Sequence, residues 1–104
     1  MNKAVLIHED LGKLEEIDLD IDPVKNEIYK LLGGRQTFVG QWPEIDVVIM
    51  KAVDGSVKNE NTLPPPFDEE EIKGKILLVR MDEYSLPQDF TLSEFKTIYQ
   101  NLCD

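Results

Sequence analysis

Nucleophilic catalysis in this chain of 104 residues would have to run through one imidazole or one thiol, because His8 and Cys103 are its only histidine and cysteine. A serine–histidine pair would join His8 to Ser56, Ser85 or Ser93. None of the three stands in the tight strand-to-helix turn that exposes a nucleophilic serine. His8 closes a short apolar run and reads as a strand-end histidine. Cys103 is the penultimate residue, where chain ends fray and a nucleophile lacks fixed geometry. Neither is expected to catalyse. A single cysteine and a single histidine also exclude a disulfide framework, a cysteine zinc cage and a histidine-cluster metal site. No cofactor is expected.

The carboxylates are the next candidates. Asp18-Leu-Asp20-Ile-Asp22 begins as a calcium loop begins, but the sixth position is Pro23 where the loop needs glycine, and the twelfth is Tyr29 where it needs glutamate. Glu16, Asp18 and Asp20 instead share one side of an alternating stretch, at intervals of roughly 6.5–7 Å if the stretch is a strand, and Asp22 adds to the charge of that face. Phosphates along a nucleic-acid strand have a comparable spacing, so this face is a candidate phosphate-backbone mimic. A solvated edge strand whose charges block edge-to-edge pairing accounts for the same residues. Gly33-Gly34-Arg35 is glycine-rich and basic, yet it follows a helix, whereas phosphate-cradling loops open one. The pair fits a helix C-cap, and Arg35 and Arg80, with Lys51, are left as candidate anion contacts.

These residues must be positioned by a single domain covering residues 1–104, since the length leaves no room for two. Eleven Lys and Arg against 21 Asp and Glu give a net charge of −10. That balance lacks the basic footprint that direct contact with nucleic acid or an anionic membrane needs. Hydrophobic residues make up 41% and charged residues 31%, which is globular rather than disordered. Only residues 4–7 are apolar before charge returns at the N-terminus. No run approaches the roughly 20 apolar residues of a membrane span. The expectation is a soluble intracellular protein without a targeting segment.

Along the chain, residues 3–8 read as a strand apolar on both sides. Residues 14–21 read as a half-buried strand with Ile17, Leu19 and Ile21 inward and the acids outward. Asp22 as N-cap and Pro23 at the first helical position open a helix, with Val24, Ile28, Leu31 and Leu32 as its apolar stripe and Gly33 as its stop. Strands at 36–42 and 45–52 follow, joined at Pro43-Glu44, the second rich in β-branched residues and central in a sheet. After a turn at Asp54-Gly55, residues 57–73 become polar and acidic around Leu63-Pro-Pro-Pro-Phe67. Another strand spans 75–81. Thr91-Leu-Ser-Glu94 is a capping box opening a last helix, with Leu92, Phe95, Ile98, Tyr99 and Leu102 inward. The order β-β-α-β-β-loop-β-α predicts an α+β domain, a mostly antiparallel sheet of about five strands with two helices packed on it.

Two segments suit recognition. The proline run can dock in an aromatic groove of a partner, or form a rigid lid pinned by Leu63 and Phe67. Trp42 reads as core or turn, and becomes a binding anchor if it is exposed beside Phe67.

The run Leu32-Gly-Gly-Arg-Gln-Thr-Phe-Val-Gly-Gln-Trp-Pro-Glu-Ile-Asp-Val-Val-Ile-Met50 resembles small uncharacterised proteins of large DNA viruses and of algae and other protists. Asn61-Thr-Leu-Pro-Pro-Pro-Phe67, Gly74-Lys-Ile-Leu-Leu-Val-Arg-Met-Asp-Glu83 and Pro87-Gln-Asp-Phe-Thr-Leu92 extend the likeness to most of the chain. The layout is also similar to a short phage and plasmid domain of unknown function, although the glycine that follows its Asn-Glu pair is missing after Asn59-Glu60. The resemblance implies no activity. It implies an accessory protein, viral or virus-derived, in the cytoplasm or nucleus of an infected cell. The first expectation is therefore a non-enzymatic interaction protein, monomer or homodimer, that binds a host or viral protein through Trp42, Glu44, Pro65 and Phe67. The alternatives are an acidic nucleic-acid mimic acting on a nucleic-acid-binding enzyme, and a protein that sequesters a small nucleotide signal.

Overall fold

The structure is a computed structural model, and it describes residues 2–20, 24–55, 57–63, 67, 69–84 and 86–103. Its elements are β1 (Asn2–Ile7), β2 (Leu14–Leu19), α1 (Glu27–Leu32), β3 (Gln36–Trp42), β4 (Val47–Ala52), β5 (Ile76–Met81), β6 (Pro87–Gln88) and α2 (Leu92–Cys103). The strands form one antiparallel sheet in the order β2-β1-β5-β4-β3. β6 pairs with β5 at Arg80 and Met81, beyond the stretch of β5 that pairs with β1. The sheet thus holds β5 between two hairpins. Residues 4–7 and 76–79 are each at most 3% exposed, which explains their unbroken apolar runs: both faces of the middle strands are covered. β4 is interior, but the central place belongs to β5.

One face carries Val5, Ile7, Val47, Ile49 and Leu78, with Phe90 and Phe95 packed on them. The other carries Ala4, Leu6, Met50, Leu77 and Val79, with Leu32 of α1 against them. The architecture is α+β, with one helix on each side of the sheet.

The helix expected from Asp22 is shorter than its sequence pattern. It begins at Glu27 behind Asn26, which is left-handed (φ 51°) and gives no side-chain cap. Val24 is 89% exposed and takes no part in an apolar stripe. The cause is a local polar web. Lys25 pairs with Asp20 at 2.7 Å, and the Asp20 N–H donates to Glu27 at 3.3 Å, so residues 24–26 stay a turn as the chain leaves the sheet edge. Ile21, Asp22 and Pro23 lie outside the described residues. Gly33 ends α1 as expected, in the left-handed conformation. The strand expected from Ile45 begins at Val47, because residues 43–46 are a turn with Asp46 at φ 57°. β6 has no counterpart in the sequence reading.

A bulge sets the faces of β3. Phe38 opposes Met50, and the register then shifts so that Gly40 opposes Ile49 and Trp42 opposes Val47. The extra residue moves Trp42 to the face opposite Phe38, although the two are four positions apart.

Residues 53–75 connect β4 to its neighbour β5, and the described residues between 57 and 75 form a strap over the α2 side of the sheet. Its neck is closed by the Gly74 N–H donating to Val57 at 2.7 Å and the Asn59 N–H donating to Ile72 at 2.9 Å. Gly55 lies under this neck, where an added Cβ would collide with the Lys73 carbonyl. Leu63 (2% exposed) and Ile72 (7%) bind the strap into the core. Among the described residues no helix is long and apolar enough to cross a membrane.

Candidate functional site

Trp42 and Phe67 meet edge to face, with ring centroids 5.7 Å apart. They meet in the core. Trp42 is 4% exposed and belongs to the same buried cluster as Leu63 and Phe95, with Phe67 half-buried against it. Leu63 and Phe67 both pack on this core and hold the strap to the sheet. Glu44 sits exposed on the 43–46 turn, and Pro65 lies outside the described residues.

The acidic face is engaged internally. Glu16 accepts the Leu92 N–H at 3.0 Å and so caps α2. Asp18 pairs with Lys3 at 2.6 Å, and Asp20 with Lys25 at 2.7 Å. The Asp18 hydrogen bond holds the Lys3 ammonium above the ordinary lysine value. Asp22 lies outside the described residues. His8, just past β1, sits 3.0 Å from Glu15.

The candidate anion contacts do not form one cluster, because Arg80 stands apart from Lys51. Arg80 donates to the Ile45 carbonyl (3.0 Å) and the Asp89 carbonyl (3.1 Å), pairs with Glu94 (2.9 Å) and lies 5.1 Å from the Phe90 ring centroid. It ties the β4 entry turn to the start of α2. Lys51 donates to the Ala52 carbonyl at 2.7 Å, and Arg35 is exposed just before β3. Lys51 opposes Ile76 whereas Arg80 opposes Val47, so the two stand four strand positions apart, roughly 13 Å.

A different place gathers side chains. Asn59, 5% exposed, donates through Nδ2 to Gly74 (2.9 Å) and Ile7 (3.4 Å) and accepts from the Asn61 N–H (2.9 Å). Asn61 reaches the β1–β2 turn: its Nδ2 donates to His8 and Asp10, each at 2.9 Å, and its Oδ1 accepts the Gly12 N–H at 2.8 Å. These two amides fasten the strap to the hairpin. Between hairpin turn, strap and α2 they leave a groove of about 290 Å³, floored by Ile7, Leu14 and Phe95 and rimmed by Leu11, Gly12, Asn61, Thr62, Lys96 and Gln100. Leu11 is 78% exposed at the rim.

On the other side of Asn61 and Thr62 lies a trough of about 360 Å³, lined also by Lys58, Asn59, Glu60, Glu69, Glu70 and Glu71. Among the described residues, no group of three or more His, Cys, Asp or Glu is arranged to hold a metal ion.

The sequence model of one family, described as a family of unknown function and designated DUF5880, matches residues 5–98, from inside β1 to inside α2. The chain belongs to DUF5880. No curated protein and no solved structure matches it. The matched range includes every groove residue of this DUF5880 chain except Gln100.

Sequence reasoning missed the groove because its walls come from three distant segments. One signal was readable: Leu11 is a large apolar residue beside Gly12 in a turn, where no strand or helix period accounts for it. The Asn59–Asn61 node was visible only as a polar interruption.

Proposed function

We propose that this member of DUF5880 is a non-enzymatic interaction protein that binds a protein partner, with the groove beside Leu11 as its docking site. The groove itself carries this reading. Its volume, about 290 Å³, lies at the small end of the roughly 300–1,000 Å³ of ligand sites, and its open apolar floor suits a side chain offered by another protein. Leu11 supplies exposed apolar surface at the mouth, and the polar rim of Asn61, Thr62, Lys96 and Gln100 has the anatomy of a small interface. Asn61 holds the hairpin turn and the strap together, so the walls are set before binding and little ordering opposes it. Trp42 and Phe67 support this site as the packing that seats the strap.

The viral or virus-derived accessory role, in the cytoplasm or nucleus of an infected cell, is part of the same proposal and rests on the sequence resemblance described above. The test is selection of randomised twelve-residue peptides, displayed on phage, against the immobilised protein. Enriched peptides should bind the Leu11→Asp variant about tenfold more weakly, the loss of one apolar anchor contact. Failure to enrich any peptide, or enriched peptides indifferent to Leu11→Asp, contradicts the proposal.

A further inference from the structure

We infer that the segment docked in the groove is a short basic peptide, with a large apolar residue in the groove and lysines or arginines lying along the strap. This rests on the docking reading above and adds the partner's chemistry to it.

The groove and the acidic trough share one wall, Asn61 and Thr62. An extended peptide advances about 3.3 Å per residue, so a side chain anchored in the groove has its neighbours over the trough within a few positions. The trough sets Glu60, Glu69, Glu70 and Glu71 against Lys58 alone. Among the described residues none of these four carboxylates has a hydrogen-bond or ion-pair partner, whereas Glu16, Asp18 and Asp20 each have one. The strap therefore holds uncompensated negative charge beside an apolar docking groove. Among the described residues the carboxylates are not gathered into a metal-holding group, and their spread along the strap suits a row of separate cations. Lys96 stands on the α2 rim of the groove with no ion-pair partner among the described residues. It repels a basic flank on that side and confines the cations to the strap side, which gives the peptide a direction.

The same randomised peptide library is the probe. Enriched sequences are expected to place Leu, Ile, Met or Phe within about four residues of two or more Lys or Arg, the span set by the strand rise. The triple variant Glu69→Lys, Glu70→Lys, Glu71→Lys alters exposed residues, and circular dichroism checks that it folds. It should bind the best such peptide about tenfold more weakly at low salt, with the difference shrinking as salt rises. Enriched peptides with neutral or acidic flanks, or affinity unchanged in the triple variant, overturn the inference while sensitivity to Leu11→Asp keeps the docking reading. Insensitivity to Leu11→Asp overturns both.

Discussion

The Phe67 ring occupies the space that a side chain at Gly40 would need: a Cβ built on Gly40 collides with the far edge of the ring. Gly40 sits at the bulge of β3, and the same ring packs edge to face on Trp42. One glycine thus seats the strap on the sheet, and the strap forms a wall of the groove.

Gly40→Ala should destabilise the fold by about 1–3 kcal/mol, the usual cost of forcing a packed side chain aside. In a Phe67→Ala background that cost should vanish or reverse, because alanine then only lowers the entropy of the unfolded chain. Urea unfolding of the double-mutant cycle measures this coupling.

Asn59→Ala should cost about 1–3 kcal/mol, because the Ile7 and Gly74 carbonyls lose a donor in a buried place. Hydrogen exchange gives the local readout. The Glu60 amide, which donates to Glu9 at 2.8 Å, should exchange faster in the variant than the amides of β5.

Arg80→Lys should lower stability by about 1–3 kcal/mol, since one ammonium cannot serve the Ile45 carbonyl, the Asp89 carbonyl and Glu94 together. The urea midpoint should fall with an unchanged slope.

Asp89 accepts the Lys3 N–H at 2.9 Å, and this bond holds its carboxyl below the ordinary carboxylate range. A carboxylate with a depressed folded value contributes stability that is complete above its unfolded value, about 3.9. That contribution is lost as pH falls through the lower folded value. Asp89→Asn should therefore flatten the acid limb of the stability–pH curve below about pH 4. Thermal unfolding between neutral and acidic pH checks this.

Local patterns carried much of the fold. The runs at 4–7 and 76–79, the β-branched stretch of β4 and the Thr91 cap each state their structure within a few residues, and Thr91 accepts the Glu94 N–H at 3.1 Å. The failures come from polar and tertiary contacts that hydrophobic periodicity does not report. The periodicity of Val24 and Ile28 suggested one helix, but Lys25 and Glu27 fold back onto Asp20 and shorten it. The alternation of Glu16 and Asp18 gave the correct faces of β2, yet not that Glu16 would cap a helix 76 residues away. The groove depends on the strap crossing from β4 back to the hairpin turn. Only the strand order makes that approach possible, and no local period encodes it.

The most direct test of the docking site is an amide NMR titration of the protein with the best peptide selected from the randomised library. Shifts should concentrate at Leu11, Gly12, Asn61, Thr62, Lys96 and Gln100, and extend over residues 69–71 for a basic peptide. Shifts centred instead on the α1 side of the sheet, around the exposed Phe38 and Tyr29, would contradict the docking site.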